Sequence, residues 1–383
     1  MAAKYSILSL FISSILYLTS YFYEYNGELD FPSFYHAKIN SMIFPSTFPK
    51  NDSNDIKLWR EVYEKQPRNI STFNIGVIDV WTDLYGVPGG HLMRIYNSNH
   101  SVHTPYNSDK PFVLLWLHDG GWTMGSAEQE DEICFKLAKE TGFIIVSASY
   151  HLAPEYPFPQ PVKDVTKALQ WVHENIEFYG AHPKKIIIGG EGAGGNLATA
   201  VALRNLDLNI VDIDHRIPVT GLFVVYPPLA MNNNDEKGSS YEKYSNINRI
   251  MSSTQLNWLK SLYHSIKTIQ PTDYTFAPLV ASPQLLKLLP NTIIIIAKNC
   301  ILYDENIKFA RILKSKYVPV ELLIYNTTIY GFFGRANYPY GNIALKDASI
   351  KLLDIANIYP ESYFEDDEMN FDELPPFPTE GFV

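Results

Sequence analysis

The residues that could do chemistry begin with a glycine-rich run, Gly190-Glu191-Gly192-Ala193-Gly194-Gly195-Asn196. An apolar stretch precedes it and a helix-forming one follows, so it reads as a strand–turn–helix junction. Two chemistries suit such a junction. Gly190, Gly192 and Gly195 spell G-x-G-x-x-G, a turn through which backbone N–H groups approach a pyrophosphate. Asp212 or Asp214 lies about 20 residues on, where a ribose-binding acid would stand. The other chemistry is acyl transfer at a nucleophile elbow, a tight turn that presents a serine to a bound carbonyl. Here the central residue is Gly192, which has no side chain to attack with.

Five further runs carry polar or turn chemistry: His118-Asp119-Gly120-Gly121-Trp122, the stretch from Tyr150 through His151 to Pro159, Ala277-Pro278-Leu279, Leu302-Tyr303-Asp304-Glu305 and Tyr330-Gly331-Phe332-Phe333. Continuous apolar segments at 112–117, 143–148, 185–188, 221–225, 292–297 and 320–325 predict strands buried on both faces. Helical patterns intervene at about 126–141, 162–178, 194–205, 304–316 and 343–358. That alternation predicts an α/β fold, with helices on both faces of a mostly parallel central sheet. Residues 26–85 are polar, aromatic and rich in proline, without a strong period. Residues 228–290 interrupt the alternation with one helix near 254–264. A long insertion in such a sheet commonly covers the ligand crevice, so the two segments are expected to form a cap.

Composition narrows the class. Of 383 residues, 46% are hydrophobic, which suits a large single-core domain. The net charge is −10, but residues 361–383 contain eight acids and no base, so the tail accounts for all but two of these charges. A disordered acidic tail is expected there. No basic stripe exists to hold nucleic acid. Residues 5–23 are uncharged and apolar, with Lys4 before them and Glu24 after. That length can cross a bilayer and predicts a signal anchor with the domain in the lumen of the endoplasmic reticulum; a cleaved signal peptide and secretion are the alternative. Sequons at Asn51, Asn69, Asn99 and Asn326 agree with that route. The two cysteines, Cys134 and Cys300, are expected as buried thiols. The ten histidines have no metal-ligand spacing, so no metal site is expected.

Taken in order, the motifs resemble the hormone-sensitive-lipase-like branch of α/β-hydrolases, whose runs read HGGGW, YRLAPExPFP, GDSAGGNLA, SPL, DPLRDE and HGFF. With the anchor, the layout is most similar to arylacetamide deacetylase-like proteins. The resemblance covers about residues 90–358 and implies an α/β-hydrolase fold. Its chemistry is a serine activated by a histidine that an acid orients, with backbone N–H groups holding the oxyanion. Carried over by register, the serine falls on Gly192, the acid on Cys300 and the histidine on Tyr330, so all three triad positions are substituted. Gly120, Gly121 and Ala193 match the oxyanion-hole positions. Asp119 replaces that loop's first glycine, and His151 replaces the arginine of YRLAPE. His118, Asp119, Trp122 and Glu191 are the candidate pocket residues. Glu191 is expected to hydrogen-bond backbone near the turn, His118 to be a structural hydrogen-bonder, and Asp304 to cap the following helix.

Three functions follow as expectations. The first is a catalytically inactive hydrolase in the secretory pathway, binding a small apolar or acyl ligand in the former pocket or acting in regulation. The second is a carboxylic-ester hydrolase or deacetylase with residual or rearranged chemistry. The third is a dinucleotide-dependent enzyme working through Gly190, Gly192 and Gly195. The hydrolase readings need no cofactor.

Overall fold

The computed structural model describes residues 56, 57, 60, 75–82, 91–98, 110–230, 238–245, 251–264 and 273–357. The expected anchor at 5–23, the sequons at Asn51, Asn69 and Asn99, and the acidic tail lie outside the described residues. Among the described residues no helix is long and apolar enough to cross a membrane.

Eight strands form one sheet: β1 (Gly76–Thr82), β2 (His91–Asn97), β3 (Val113–Leu117), β4 (Ile144–Ala148), β5 (Ile186–Glu191), β6 (Val219–Val225), β7 (Asn291–Ala297) and β8 (Val320–Tyr325). Their order is β1-β2-β4-β3-β5-β6-β7-β8. β1 pairs antiparallel with β2, and β2 with β4; the remaining pairs are parallel. This is the expected α/β-hydrolase architecture. Every residue of β3, β4 and β5 is buried, as strands covered by helices on both faces must be. The main covering helices are α1 (Asp131–Thr141), α2 (Gln160–Asn175), α3 (Ala193–Leu206), α5 (Tyr303–Ser315) and α6 (Gly341–Ala356), with α4 (Ser253–Tyr263) in the insertion.

Two strands differ from the sequence reading. Residues 76–82 fall in the segment expected to form part of the cap, yet they are β1, an edge strand of the main sheet. Residues 91–97 form β2, which joins it to β4. Both are antiparallel. β1 faces solvent along much of its length and so carries no continuous apolar run, while β2 is largely buried but has His91 and Arg94 among its apolar residues.

The register brings three strand ends together. Leu117 pairs with Gly190, and Gly190 with Val224, so the C-terminal ends of β3, β5 and β6 meet along one edge. Asp119, Gly192 and Tyr226 lie one or two residues beyond those ends. The helix of the insertion lies over this edge. Its Trp258, Leu259 and Leu262 form a separate small core with Met124 and with Ile56 from the N-terminal segment. Ser252 and Gln255 close a capping box at its start.

Candidate active site

Gly192 is the turn between β5 and α3. Its φ of 51° and ψ of −117° lie where a side-chain-bearing residue is strained by roughly 1–3 kcal/mol, and glycine is not. Its N–H donates to Val225 O at 3.0 Å and its carbonyl accepts from Asn196 N–H at 3.0 Å. The turn is therefore a tight strand–helix junction whose central residue has no side chain. The place for a side chain is also taken. A Cβ on Gly192 would lie 2.0 Å from the Tyr330 hydroxyl oxygen and 2.2 Å from Asp119 Oδ1.

Asp119 fills the position an oxyanion would use. Its Oδ1 accepts from Ala193 N–H at 3.0 Å and, less closely, from Gly121 N–H at 3.4 Å. Its Oδ2 accepts from the Tyr330 hydroxyl at 2.7 Å. Gly121 and Ala193 are two of the three residues matched to oxyanion-hole positions, with Gly120, and Asp119 is the residue that replaces the loop's first glycine. The fold brings Gly121, Ala193 and Asp119 together, and the carboxylate is itself the bound anion. Burial, with Asp119 beside it, pushes the Tyr330 phenol well above its ordinary range, so this hydroxyl keeps its proton and donates. Gly120, at φ 128°, turns the loop and accepts through its carbonyl from Thr123 and Met124 N–H. Gly121 lies under the insertion helix, where a Cβ would come 2.5 Å from Leu259 Cδ1.

His118 is fully buried and stacks on Tyr150 at 4.1 Å. Its Nδ1 donates to Asp119 O at 2.7 Å, and burial lowers its pKa to about 4, so the ring is neutral and structural, as expected. Trp122 stacks on Tyr263 of α4 at 4.7 Å and donates to Asn196 Oδ1 at 3.3 Å, which fastens the glycine loop to the insertion and to α3.

Glu191 departs from expectation. It is the last residue of β5, completely buried, and it binds side chains rather than backbone. Its Oε1 accepts from the Tyr226 hydroxyl and from Arg335 Nη1, the latter at 2.8 Å. Oε2 has no partner. Burial raises its pKa, and Arg335 opposes that rise. Near it Glu130, also buried, is pushed up to about 8 by burial and by Glu191, and it accepts from Trp116 Nε1 at 3.2 Å. Sequence reasoning missed Glu130, Tyr226 and Arg335. Arg335 follows Tyr330-Gly331-Phe332-Phe333 closely enough to have been noticed; Glu130 sits in an ordinary amphipathic pattern and gives no signal.

Cys300 lies past the end of β7, buried, with its Sγ accepting from Leu302 N–H at 3.4 Å. Cys134 is buried in α1, and neither cysteine forms a disulfide. Asp304 is not the cap of α5; Leu302 holds that position. Asp304 Oδ2 instead accepts from Ser240 N–H at 2.6 Å, tying α5 to the insertion. Asn326 is exposed just beyond β8. For a dinucleotide, the N-terminus of α3 would have to receive phosphate, but Ala193 N–H already holds Asp119. Asp212 and Asp214 lie in an exposed loop. Histidines without metal-ligand spacing in the sequence still meet in space: pairing of β2 with β4 brings His91 beside His151, and α2 adds Asp164. These residues are far apart in the chain, so no spacing rule could find them.

The profile of a family described as alpha/beta hydrolase fold matches residues 114–334, well over half of the chain. A carboxylic ester hydrolase of Mycobacterium tuberculosis is 28% identical over 221 residues, covering 57% of each chain. An ethyl acetate hydrolase of Pseudomonas putida is 26% identical over 55% of this chain and 63% of its own. An arylesterase of Saccharolobus solfataricus is 29% identical over 61% of this chain and 72% of its own. The match thus spans little more than half the length of the first two. A crystal structure of an esterase from Pyrobaculum calidifontis is 27% identical, with a TM-score of 0.65 over 79% of this chain and 94% of that one. The mostly parallel sheet and the matched profile agree, and the relatives compared are ester hydrolases by name: the chain belongs to the alpha/beta-hydrolase-fold family.

Proposed function

We propose that this protein is a non-hydrolysing member of its family, which holds an apolar or acyl ligand, or acts in regulation, on a scaffold whose reaction centre is closed. One observation carries the reading. The Asp119 carboxylate rests on Ala193 and Gly121 N–H, beside a glycine where the nucleophile would stand. An ester's carbonyl oxygen would have to displace a carboxylate to reach those donors, and the developing charge would face it. Tyr330, protonated and donating to Asp119, is a poor general base. On this reading the chain is closest to the arylacetamide deacetylase-like branch. Residues 5–23 anchor it in the endoplasmic reticulum membrane, Asn326 is open to glycosylation, and Ile56 together with α4 caps the site.

The relatives favour a second reading, hydrolysis of carboxylic esters by rearranged chemistry, since those compared are carboxylic-ester hydrolases. One set of measurements separates the two. The purified chain is assayed with short-chain p-nitrophenyl esters and a fluorophosphonate probe, and its solvent extract is analysed by mass spectrometry. The first reading expects turnover at buffer level, no labelling and a co-purifying apolar ligand. Turnover well above buffer that is lost on Gly192→Val establishes the second.

A further inference from the structure

His91, His151 and Asp164 meet where β2 begins, where the chain leaves β4 and where α2 passes behind them. His91 and His151 are 8% and 9% exposed, and Asp164 is 1% exposed. His91 Nε2 lies 2.9 Å from His151 Nδ1, and that same nitrogen lies 2.8 Å from Asp164 Oδ2. All three donor atoms fall within 4.8 Å of one another.

A count of protons leaves this arrangement short. In neutral imidazole each ring nitrogen either donates or accepts. If His151 Nδ1 carries hydrogen, it donates to Asp164, and His91 Nε2 is left with at most a shared contact. If His91 donates instead, the bare His151 nitrogen faces a carboxylate oxygen at hydrogen-bond distance. Either way, electron pairs outnumber protons among the three atoms. A cation satisfies all of them at once.

We propose that His91 Nε2, His151 Nδ1 and Asp164 Oδ2 bind one divalent transition-metal cation, zinc by preference, with a fourth position for water. Two imidazoles and a carboxylate suit zinc better than magnesium or calcium, which favour oxygen. At ligand lengths of about 2.1 Å, tetrahedral donors stand about 3.4 Å apart; His151 Nδ1 would have to move from each of its two neighbours, now 2.9 and 2.8 Å away, while His91 Nε2 and Asp164 Oδ2 already lie within 4.8 Å of each other. The carboxylate is held in place. Its Oδ1 accepts from Gln160 Nε2 at 2.8 Å, and its Oδ2 accepts from His151 N–H at 2.9 Å, the outer support that metal ligands commonly have. The ion would fasten β2, the segment after β4 and α2 together. That segment also touches the glycine loop, since Ala153 N–H donates to Trp122 O at 2.9 Å.

The test uses the full chain stripped with a chelator. Zinc is titrated against a chromogenic chelator, and cobalt(II) is followed by its visible absorption. One equivalent of zinc, cobalt d–d bands of a low-coordinate site and a raised Tm are expected. His151→Arg leaves Asp164 paired with a guanidinium, so the fold is kept while the ligand is lost. His91→Gln removes the other imidazole. Each is expected to weaken binding by at least about 10-fold, the loss typical of removing even an outer partner. Absence of stoichiometric zinc or cobalt binding by the folded wild-type chain overturns the proposal. So does wild-type binding in both variants, which would move the metal to other groups, such as the acids of residues 361–383.

Discussion

The Tyr330 hydroxyl donates to Asp119 Oδ2 at 2.7 Å across 211 residues of sequence, and the pair stands where any side chain on Gly192 would enter. Asp119 ends one side of the elbow and Tyr330 the other. Substituting Gly192 alone does not reopen the site. Gly192→Ser should be destabilised by about 1–3 kcal/mol of backbone strain and by a comparable cost of overpacking, with esterase activity still at background. Recovery needs Asp119→Gly, Tyr330→His and Cys300→Asp as well. Thermal unfolding and p-nitrophenyl acetate turnover check both halves. Strong turnover by Gly192→Ser alone would show that the pair yields readily and that the closed-site reading is wrong.

Tyr330→Phe removes the donor from a buried carboxylate and should cost about 1–3 kcal/mol. Asp119→Asn removes the charge from the same contact. A double-mutant cycle by denaturant unfolding should give a coupling of about 0.5–3 kcal/mol, because the two residues touch. Additive losses would mean the hydrogen bond contributes nothing in solution.

Glu130 gives a pH dependence whose sign is set by burial. Its folded pKa is raised to about 8 from an ordinary 4.5. Between those values the folded state binds the proton that the unfolded state has released, so stability falls as pH rises through this window. At most about 1.4 kcal/mol is lost per pH unit for one such group. Glu130→Gln keeps the shape and should flatten the decline between about pH 5 and 8. Urea unfolding at several pH values measures it, and an unchanged slope would assign the pH dependence to other groups.

Arg335→Met leaves Glu191 fully buried without its cation. Breaking a fully buried pair from one side costs about 3–5 kcal/mol, and less is expected here because the Arg335 side chain is 32% exposed, while replacing both partners is often nearly neutral. Adding Glu191→Gln should therefore restore most of the stability lost. If the double variant is no better than the single one, Arg335 acts through its contacts with Gly331 and Phe333 carbonyls rather than through Glu191.

Much was legible from sequence because it is written in local pattern. Six strands announce themselves as apolar runs, each within a few residues of its place in the sheet, but β8, expected to be buried on both faces, is the sheet's far edge and only partly buried. Gly192 is legible as the turn residue with no side chain to attack with. β1 is not legible as a sheet strand because an antiparallel edge strand needs no continuous apolar run, and β2, inside the sheet, is masked by the His91 and Arg94 that interrupt its apolar residues. Asp304 was read as a helix cap from its position alone. The neighbour that claims it, Ser240, is 64 residues away.

The sequence by itself determined the alternation of strands and helices, and with it the fold, the elbow and the glycine loop. Those are properties of neighbouring residues, set by side-chain period and by the backbone freedom of glycine. Only the tertiary structure decided where Asp119 points. A carboxylate after a strand can face solvent or crevice, and here the N–H groups of Gly121 and Ala193 and the hydroxyl of Tyr330 hold it inward. It likewise decided that Glu191 meets Arg335 and that His91 meets His151 and Asp164. Such contacts arise from strand order, which no local stretch of sequence contains.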